Sequence, residues 1–291
     1  MADGPPTNLS SLLARLRNHC SEAGQDPTRA QRHMAAMVVA HLLRDTGTVV
    51  KGGRNLEIRY GLRSSRASID LDVVRAASLE ALIDELEGRL AAGWDGFTGT
   101  VRDRGPIPVP APDGYAPHRL DVKLAFKGRS GVGTVSLEIA VEEAGSLGTT
   151  ESVSSHDAHD LFRAIGLPSP DRVPVLAVPV QIAQKLHACT TPDDPVRSRT
   201  NDRAHDLVDL QLLAADIAPE ELRSVREAAT RLFAARQQHP WPPEVTAREG
   251  WGRLYDEELA TVTLPRAALA SDVQAAVTWA NAFVHTVDTA R

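Results

Sequence analysis

The chain has 291 residues, 42% of them hydrophobic and 4% aromatic, with a formal net charge of −6 and a pI near 5.9, which suits one large or two modest domains with an ordinary core. This balance excludes a global basic field, so any RNA contact needs a local patch, and scarce aromatics argue against base-stacking platforms. Two cysteines, Cys20 and Cys189, give neither a disulfide framework nor zinc spacing, and no stretch approaches the roughly 20 apolar residues that cross a membrane; with a polar, Pro-rich start in place of a hydrophobic leader, no membrane partner is expected and the expected compartment is a reducing cytoplasm.

Residues 1–8 read as disordered. Residues 9–20 and 28–44 read as helices, the second with Met34, Met37, Val38, His41 and Leu42 on one stripe. Thr48-Val49-Val50-Lys51 reads as a short strand that Gly52-Gly53 breaks. Glycines ahead of a helix start let backbone N–H groups approach phosphate. Residues 54–62 fit a short helix, and 67–74 read as the next strand. Side chains alternate along a strand, so Asp70 and Asp72 are expected on one side. Two carboxylates on one face repel unless a divalent cation sits between them, and Mg²⁺ prefers one or two carboxylates with phosphate oxygens and water. Ile69, Leu71, Val73 and Val74 should anchor that strand. An Asp-x-Asp alone is usually a solvated strand face, and a Gly-Gly alone is usually a turn. The order strand, Gly-Gly, connector, Asp-x-Asp points to metal-dependent nucleotidyl transfer. Ser68 is expected to share the face of Asp70 if it is more than a plain strand residue; a phosphate on it would add about −1.5 to −2 of charge beside the acids and silence the site.

Residues 79–90 have the pattern of an amphipathic helix, and 102–117 read as a proline-rich loop. Leu120, Val122, Leu124 and Phe126 alternate, 128–133 reads as a turn, and Val135, Leu137, Ile139 and Val141 alternate again with Glu138 on the opposite face. This is a hairpin. Asp121 and Glu138 both compete as a third carboxylate, with a solvent-facing acid as the plain alternative. A short helix over 158–165 follows. Ser154 and Ser155 as caps explain His156, Asp157, His159 and Asp160 better than a metal cluster does. A last strand over 173–178 fits the pattern.

The remainder reads as helical over 180–189, 203–216, 219–236 and 271–288, with a Pro-containing connection over 239–265. Pro179 suits a first helical turn. Ile182, Ala183, Leu186 and Cys189 follow helical spacing, with Lys185 beside them. Only four lysines (51, 123, 127 and 185) occur in this Arg-biased chain, and lysine offers a compact point charge to phosphate. Asp206 and Asp209 share a helix face; acids favouring the helix dipole are the plain alternative. The expected organisation is an α+β domain over 1–172 and a mostly helical domain over 173–291, with nucleotide in the cleft between them. Arg54, Arg59, Arg63 and Arg66, or Arg197, Arg199 and Arg203, are candidate RNA patches, against ordinary Arg-rich surface.

Four segments carry a resemblance: Val50-Lys-Gly-Gly-Arg-Asn-Leu-Glu-Ile-Arg; Arg66-Ala-Ser-Ile-Asp70-Leu-Asp72; Ile182-Ala-Gln-Lys185-Leu-His-Ala; and Ser198-Arg199 with Arg203-Ala-His-Asp206-Leu-Val-Asp209-Leu. In order and rough spacing they resemble the AbiEii/AbiGii-type nucleotidyltransferases, the toxin halves of bacterial toxin–antitoxin and phage-abortive systems, over about residues 30–215. The resemblance implies the α+β polymerase-β-like nucleotidyltransferase fold: a mixed sheet with flanking helices and a helical C-terminal domain. It implies transfer of a nucleoside monophosphate from NTP to an acceptor, which is the 3′ end of tRNA in several related toxins, and a cognate antitoxin as partner. Asp70 and Asp72 would hold two Mg²⁺ ions with a third carboxylate, one ion activating the attacking hydroxyl and one steadying the triphosphate. Gly52, Gly53 and Ser68 would cradle phosphate, and Lys185 would reach the triphosphate. Asp206 would hold Lys185 or the ribose, with Asp209 second. The family pattern puts its acid on the second hairpin strand, which favours Glu138, although the family has Asp there. His205 stands where the family has lysine, which puts a second lysine's role in doubt. A small-molecule or protein acceptor is the competing use of the same site. A non-catalytic binding protein is opposed by the joint retention of these residues.

Overall fold

A computed structural model of the chain describes residues 4–75, 78–108, 116–143, 145–170, 172–193 and 200–290. Helix α1 (Leu9–Ala23) begins where Asn8 Oδ1 accepts the Ser11 N–H at 2.9 Å and stops at Gly24, a left-handed cap with φ 64°. Helix α2 (Pro27–Leu42) starts on an Asp26 cap with Pro27 in its first turn. Its residues from His33 to Leu42 are all buried, so α2 runs through the core rather than over it.

Strand β1 (Thr48–Lys51) runs directly into helix α3 (Gly52–Tyr60), and β2 (Leu71–Arg75), helix α4 (Leu79–Ala92), β3 (Phe97–Pro106), β4 (His118–Phe126) and β5 (Arg129–Val141) follow. Then come β6 (Thr150–Val153), helix α5 (His156–Ile165) and β7 (Val173–Leu176). The strands form one mixed sheet in the order β3-β4-β5-β2-β1-β7-β6. β3, β4 and β5 make an antiparallel meander, β2 lies parallel to β5 and antiparallel to β1, and β1 is parallel to β7. Leu71, Val73 and Val74 are all buried. Each contributes roughly 1.5–3 kcal/mol, which fixes β2 in the sheet.

The chain divides into two compact units. The first comprises 1–62, 68–142 and 150–175, and the second comprises 63–67, 143–149 and 176–291. The sequence places its boundary at 172/173; here β7, the last strand in the chain, belongs to the sheet beside β1, and two short earlier segments go with the helical unit. That second unit contains α6 (Val178–Thr190), α7 (His205–Ala214), α8 (Leu222–Arg236), α9 (Trp251–Leu259) and α10 (Val273–Thr289), with α6 packed on α7 and α8. No helix among the described residues is long and apolar enough to cross a membrane.

Several elements differ from the sequence reading. β2 begins at Leu71, so Asp70 lies on a bend before the strand, and Ile69 is 70% exposed instead of anchoring it. β3 extends to Pro106 through residues read as loop. It is an edge strand with mostly exposed side chains, and an edge tolerates proline and lacks a two-sided apolar pattern. The hairpin closes through Lys127 and Gly128, with φ of 48° and 74°, and not through 128–133. Two positive-φ residues make the tight turn that matches strand twist. β6, which the sequence reading leaves unassigned, is a short exposed strand, and α9, inside the stretch read as a connection, buries Trp251 and Tyr255 in only nine residues. Ser155 caps α5 by accepting the Ala158 N–H, as its sequence suggests. Asp157 Oδ2 accepts the Leu62 N–H at 2.6 Å, a role with no local signature.

Candidate active site

The first unit gathers its acids around the junction of β1 and α3. Asp72 lies on β2 opposite Lys51 of β1 and opposite Glu138 of β5. Glu138 in turn lies opposite Arg119 of β4. Paired residues on neighbouring strands share a face, so four adjacent strands carry the row Lys51, Asp72, Glu138, Arg119, with the two anions in the middle. Gly52 opens α3 at φ 67°, and a Cβ there would lie 2.3 Å from Asp72 Oδ2. Only glycine permits this approach of carboxylate to helix N-terminus. Gly53 follows, buried in the first turn. Asp121 is paired instead with Ser136 and Arg102 and holds Arg104 Nε at 2.7 Å, one strand further from β2. Glu138 is therefore the acid beside Asp72.

Burial pushes the Glu138 carboxyl up, and the charges of Asp72 and Asp70 add to this despite the ion pair that Glu138 makes with Arg119. Such crowding of hard carboxylate oxygens fits a divalent cation of the Mg²⁺ kind. As they stand, no three or more His, Cys, Asp or Glu side chains among the described residues converge closely enough to hold an ion; Glu138 is turned to Arg119.

The loop that leads to Asp70 is held by a buried network that the sequence reading missed. Ser68 N–H donates to Glu57 Oε1 at 3.1 Å, and Arg54 Nη2 donates to the Ser68 carbonyl at 2.9 Å. Arg54 also pairs with Glu57, and Arg29 Nε reaches Glu57 Oε1 at 2.9 Å. Arg54 and Glu57 are 1% and 0% exposed. Burial alone would raise the Glu57 carboxyl; Arg54, His33 and Arg29 overcome that and hold it at about 2. The Ser68 hydroxyl is buried and donates to the Asp70 carbonyl at 3.2 Å. It thus braces the acid loop. The i, i+3 spacing of Arg54 and Glu57 was the available signal, hidden among other arginines.

The second unit builds a separate charged centre. Lys185 Nζ on α6 donates to Asp206 Oδ1 at 2.9 Å and to Asp209 Oδ2 at 2.5 Å, both on α7. Arg203 Nε donates to Asp206 Oδ2 at 2.8 Å, and Arg66 Nε to Asp209 Oδ2 at 2.9 Å. Both aspartates are fully buried, and Asp209 Oδ1 has no hydrogen-bond partner among the described residues. Desolvation would raise both carboxyls, but Arg203 and Lys185 hold Asp206 well below the usual range, and Arg66 and Lys185 lower Asp209. Asp206 and Asp209 therefore both accept from Lys185. Cys189 is buried, its thiol pushed up by burial, as suits packing.

Of the described arginines in the two candidate patches, Arg54, Arg59, Arg66 and Arg203 are engaged by intramolecular partners, while Arg63 is exposed. Arg54 is buried on Glu57, Arg59 donates to Asn55 and Glu151, and Arg66 donates to Asp209. Arg203 is tied to Asp206; Arg197, Arg199 and the Ser198-Arg199 motif lie outside the described residues.

His187 and His205 give the second unit an acid sensitivity. Burial lowers His187 to about 3, helped by Arg236, and burial lowers His205 to about 4, against Asp206 and with Arg66 and Arg203. His205 is thus neutral near pH 7 and supplies no second cation. Both folded values lie below the unfolded value of about 6.5, so between them the unfolded chain binds more protons. Stability is fully present above about pH 6.5 and falls as pH drops toward 4, by about 1–3 kcal/mol per pH unit. Urea midpoints measured between pH 7.5 and 4.5 should decline; a flat profile would refute the assignment.

Residues 36–283 match the family described as nucleotidyl transferase AbiEii toxin, type IV TA system. Among solved structures, the nucleotidyltransferase toxin MenT4 from Mycobacterium tuberculosis H37Rv is similar at TM-score 0.54 and 19% identity, covering 96% of this chain and 99% of that one. JHP933 from Helicobacter pylori is similar at TM-score 0.49 and 20% identity, covering 89% and 91%. At these identities the likeness is one of fold. No curated protein matches the chain.

Proposed function

The chain belongs to the AbiEii nucleotidyltransferase toxin family of type IV toxin–antitoxin systems, and from that premise we propose that it transfers a nucleoside monophosphate from NTP to the 3′ end of tRNA with the help of Mg²⁺. The family implies an NTP substrate and an antitoxin partner; the acceptor and the metal are our reading. The observation that carries it is the approach of Asp72 to Gly52, with Glu138 alongside in register.

Asp70, Asp72 and Glu138 would hold the cation. When bound it would neutralise the triphosphate and favour ionisation of the attacking hydroxyl. The first N–H groups of α3, at Gly52 and Gly53, are the donors for phosphate oxygens, because a helix N-terminus has unsatisfied N–H groups and a favourable dipole. Arg54, Glu57 and Ser68 hold the loop before Asp70 in place, which spares the reaction the reorganisation of that segment. Lys185 has three donors, of which Asp206 and Asp209 take two. The third is the one we assign to phosphate, with Asp206 and Asp209 setting its direction.

The test is incubation of the purified protein with Mg²⁺, each α-³²P-labelled NTP and total bacterial tRNA. Label on tRNA is expected with the wild type, and at least about 10³-fold less with Asp72→Ala. Label on a small molecule or protein and none on tRNA would refute the tRNA acceptor.

A further inference from the structure

In the row of charges across the sheet, Arg119 is 45% exposed and Glu138 21% exposed, and the guanidinium donates to Glu138 Oε1. Glu138 is also the acid in register with Asp72. We propose that Arg119 competes with the divalent cation for Glu138 and is released to the NTP triphosphate, so that Arg119 makes cation binding depend on nucleotide. The proposal rests on the metal site proposed above.

A carboxylate bonded to a guanidinium has part of its lone-pair capacity occupied, and its charge is offset. A cation arriving without nucleotide must displace Arg119 or accept a weaker ligand. That the acids do not converge while Glu138 faces Arg119 is the expected geometry of this guarded state. A planar guanidinium binds carboxylate and phosphate by the same paired N–H geometry, so triphosphate oxygens offer it an equivalent partner. Nucleotide then frees Glu138 as it arrives. Because the pair is half exposed, the competition is weak and reversible. Asp121 does not hold Arg119 away, since it is bonded to Arg104. Arg119 is a positioning residue for the cation in the empty enzyme and a binding residue for triphosphate in the loaded one.

The test uses Mn²⁺ alone, with free ion counted by EPR in titrations of the full-length wild type, Arg119→Gln and Glu138→Gln. Arg119→Gln is expected to bind Mn²⁺ about three- to fivefold more tightly than wild type, while its KM for NTP in the transfer assay rises. Opposite shifts in the two constants are the signature, because simple structural damage would weaken both. Glu138→Gln should bind Mn²⁺ more weakly than either. Unchanged or weaker Mn²⁺ binding by Arg119→Gln, with wild type binding the ion, overturns the role of Arg119 alone. No Mn²⁺ binding by wild type or Arg119→Gln overturns the metal site, and this role with it.

Discussion

Gly52→Ala is expected to reduce nucleotidyl transfer by about 10²–10³-fold while the protein stays folded. Two penalties coincide at this position. The backbone has φ 67°, a left-handed conformation that costs a non-glycine residue about 1–2 kcal/mol. The added methyl carbon would also stand 2.3 Å from Asp72 Oδ2 and 3.1 Å from its Cγ, well inside contact distance. Asp72 is on a strand fixed by buried Leu71 and Val73, so the side chain must rotate, or the start of α3 must shift. Either response separates the carboxylate from the helix N-terminus that it faces. Label transfer together with circular dichroism checks this: near-wild-type activity would show that the close approach is dispensable, and loss of helical signal would show that the glycine serves folding first.

Lys185→Ala is expected to destabilise the protein by about 3 kcal/mol, the lower end for removing one partner from a buried ion pair, and to lower the melting temperature by roughly 6–12 °C. The amine bonds both Asp206 and Asp209, which are fully buried. Without it, two carboxylates in a low-dielectric interior depend on Arg203 and Arg66 alone. Thermal melts of wild type and Lys185→Ala decide the matter. An unchanged melting temperature in Lys185→Ala would mean that the amine is not an anchor of the second unit.

The legible parts of this protein were those written in short spacings. Gly52-Gly53 after a strand and Asp72 within the next apolar run could be read directly, as could the shared face of Asp206 and Asp209. The mixed sheet with flanking helices was legible through the resemblance, and the family match over 36–283 supports it. What escaped depends on tertiary register. Reading the hairpin turn as 128–133 pairs Lys127 with Thr134, which by the same count sets Arg119 opposite Glu142. The two-residue turn and the bulge between Leu124 and Ala125 set it opposite Glu138 instead. Likewise Arg29 and His33 meet Glu57 from α2, more than twenty residues away, so the arginines of α3 looked like free surface charge. Ile69 looked like core because its neighbours are, although the chain has not yet entered the strand at that point.

The assignment of residues 63–67 to the second unit bears on how the molecule can be taken apart. A fragment cut at Leu176 would carry α6 and α7 with Lys185, Asp206 and Asp209, but would leave behind Arg66, which bonds Asp209, and Arg63, whose carbonyl accepts the Leu264 N–H at 2.8 Å. The complementary fragment would keep Ser68 and Asp70 at the end of a five-residue segment stripped of its packing. A single cut at Leu176 therefore does not separate the two units along the chain.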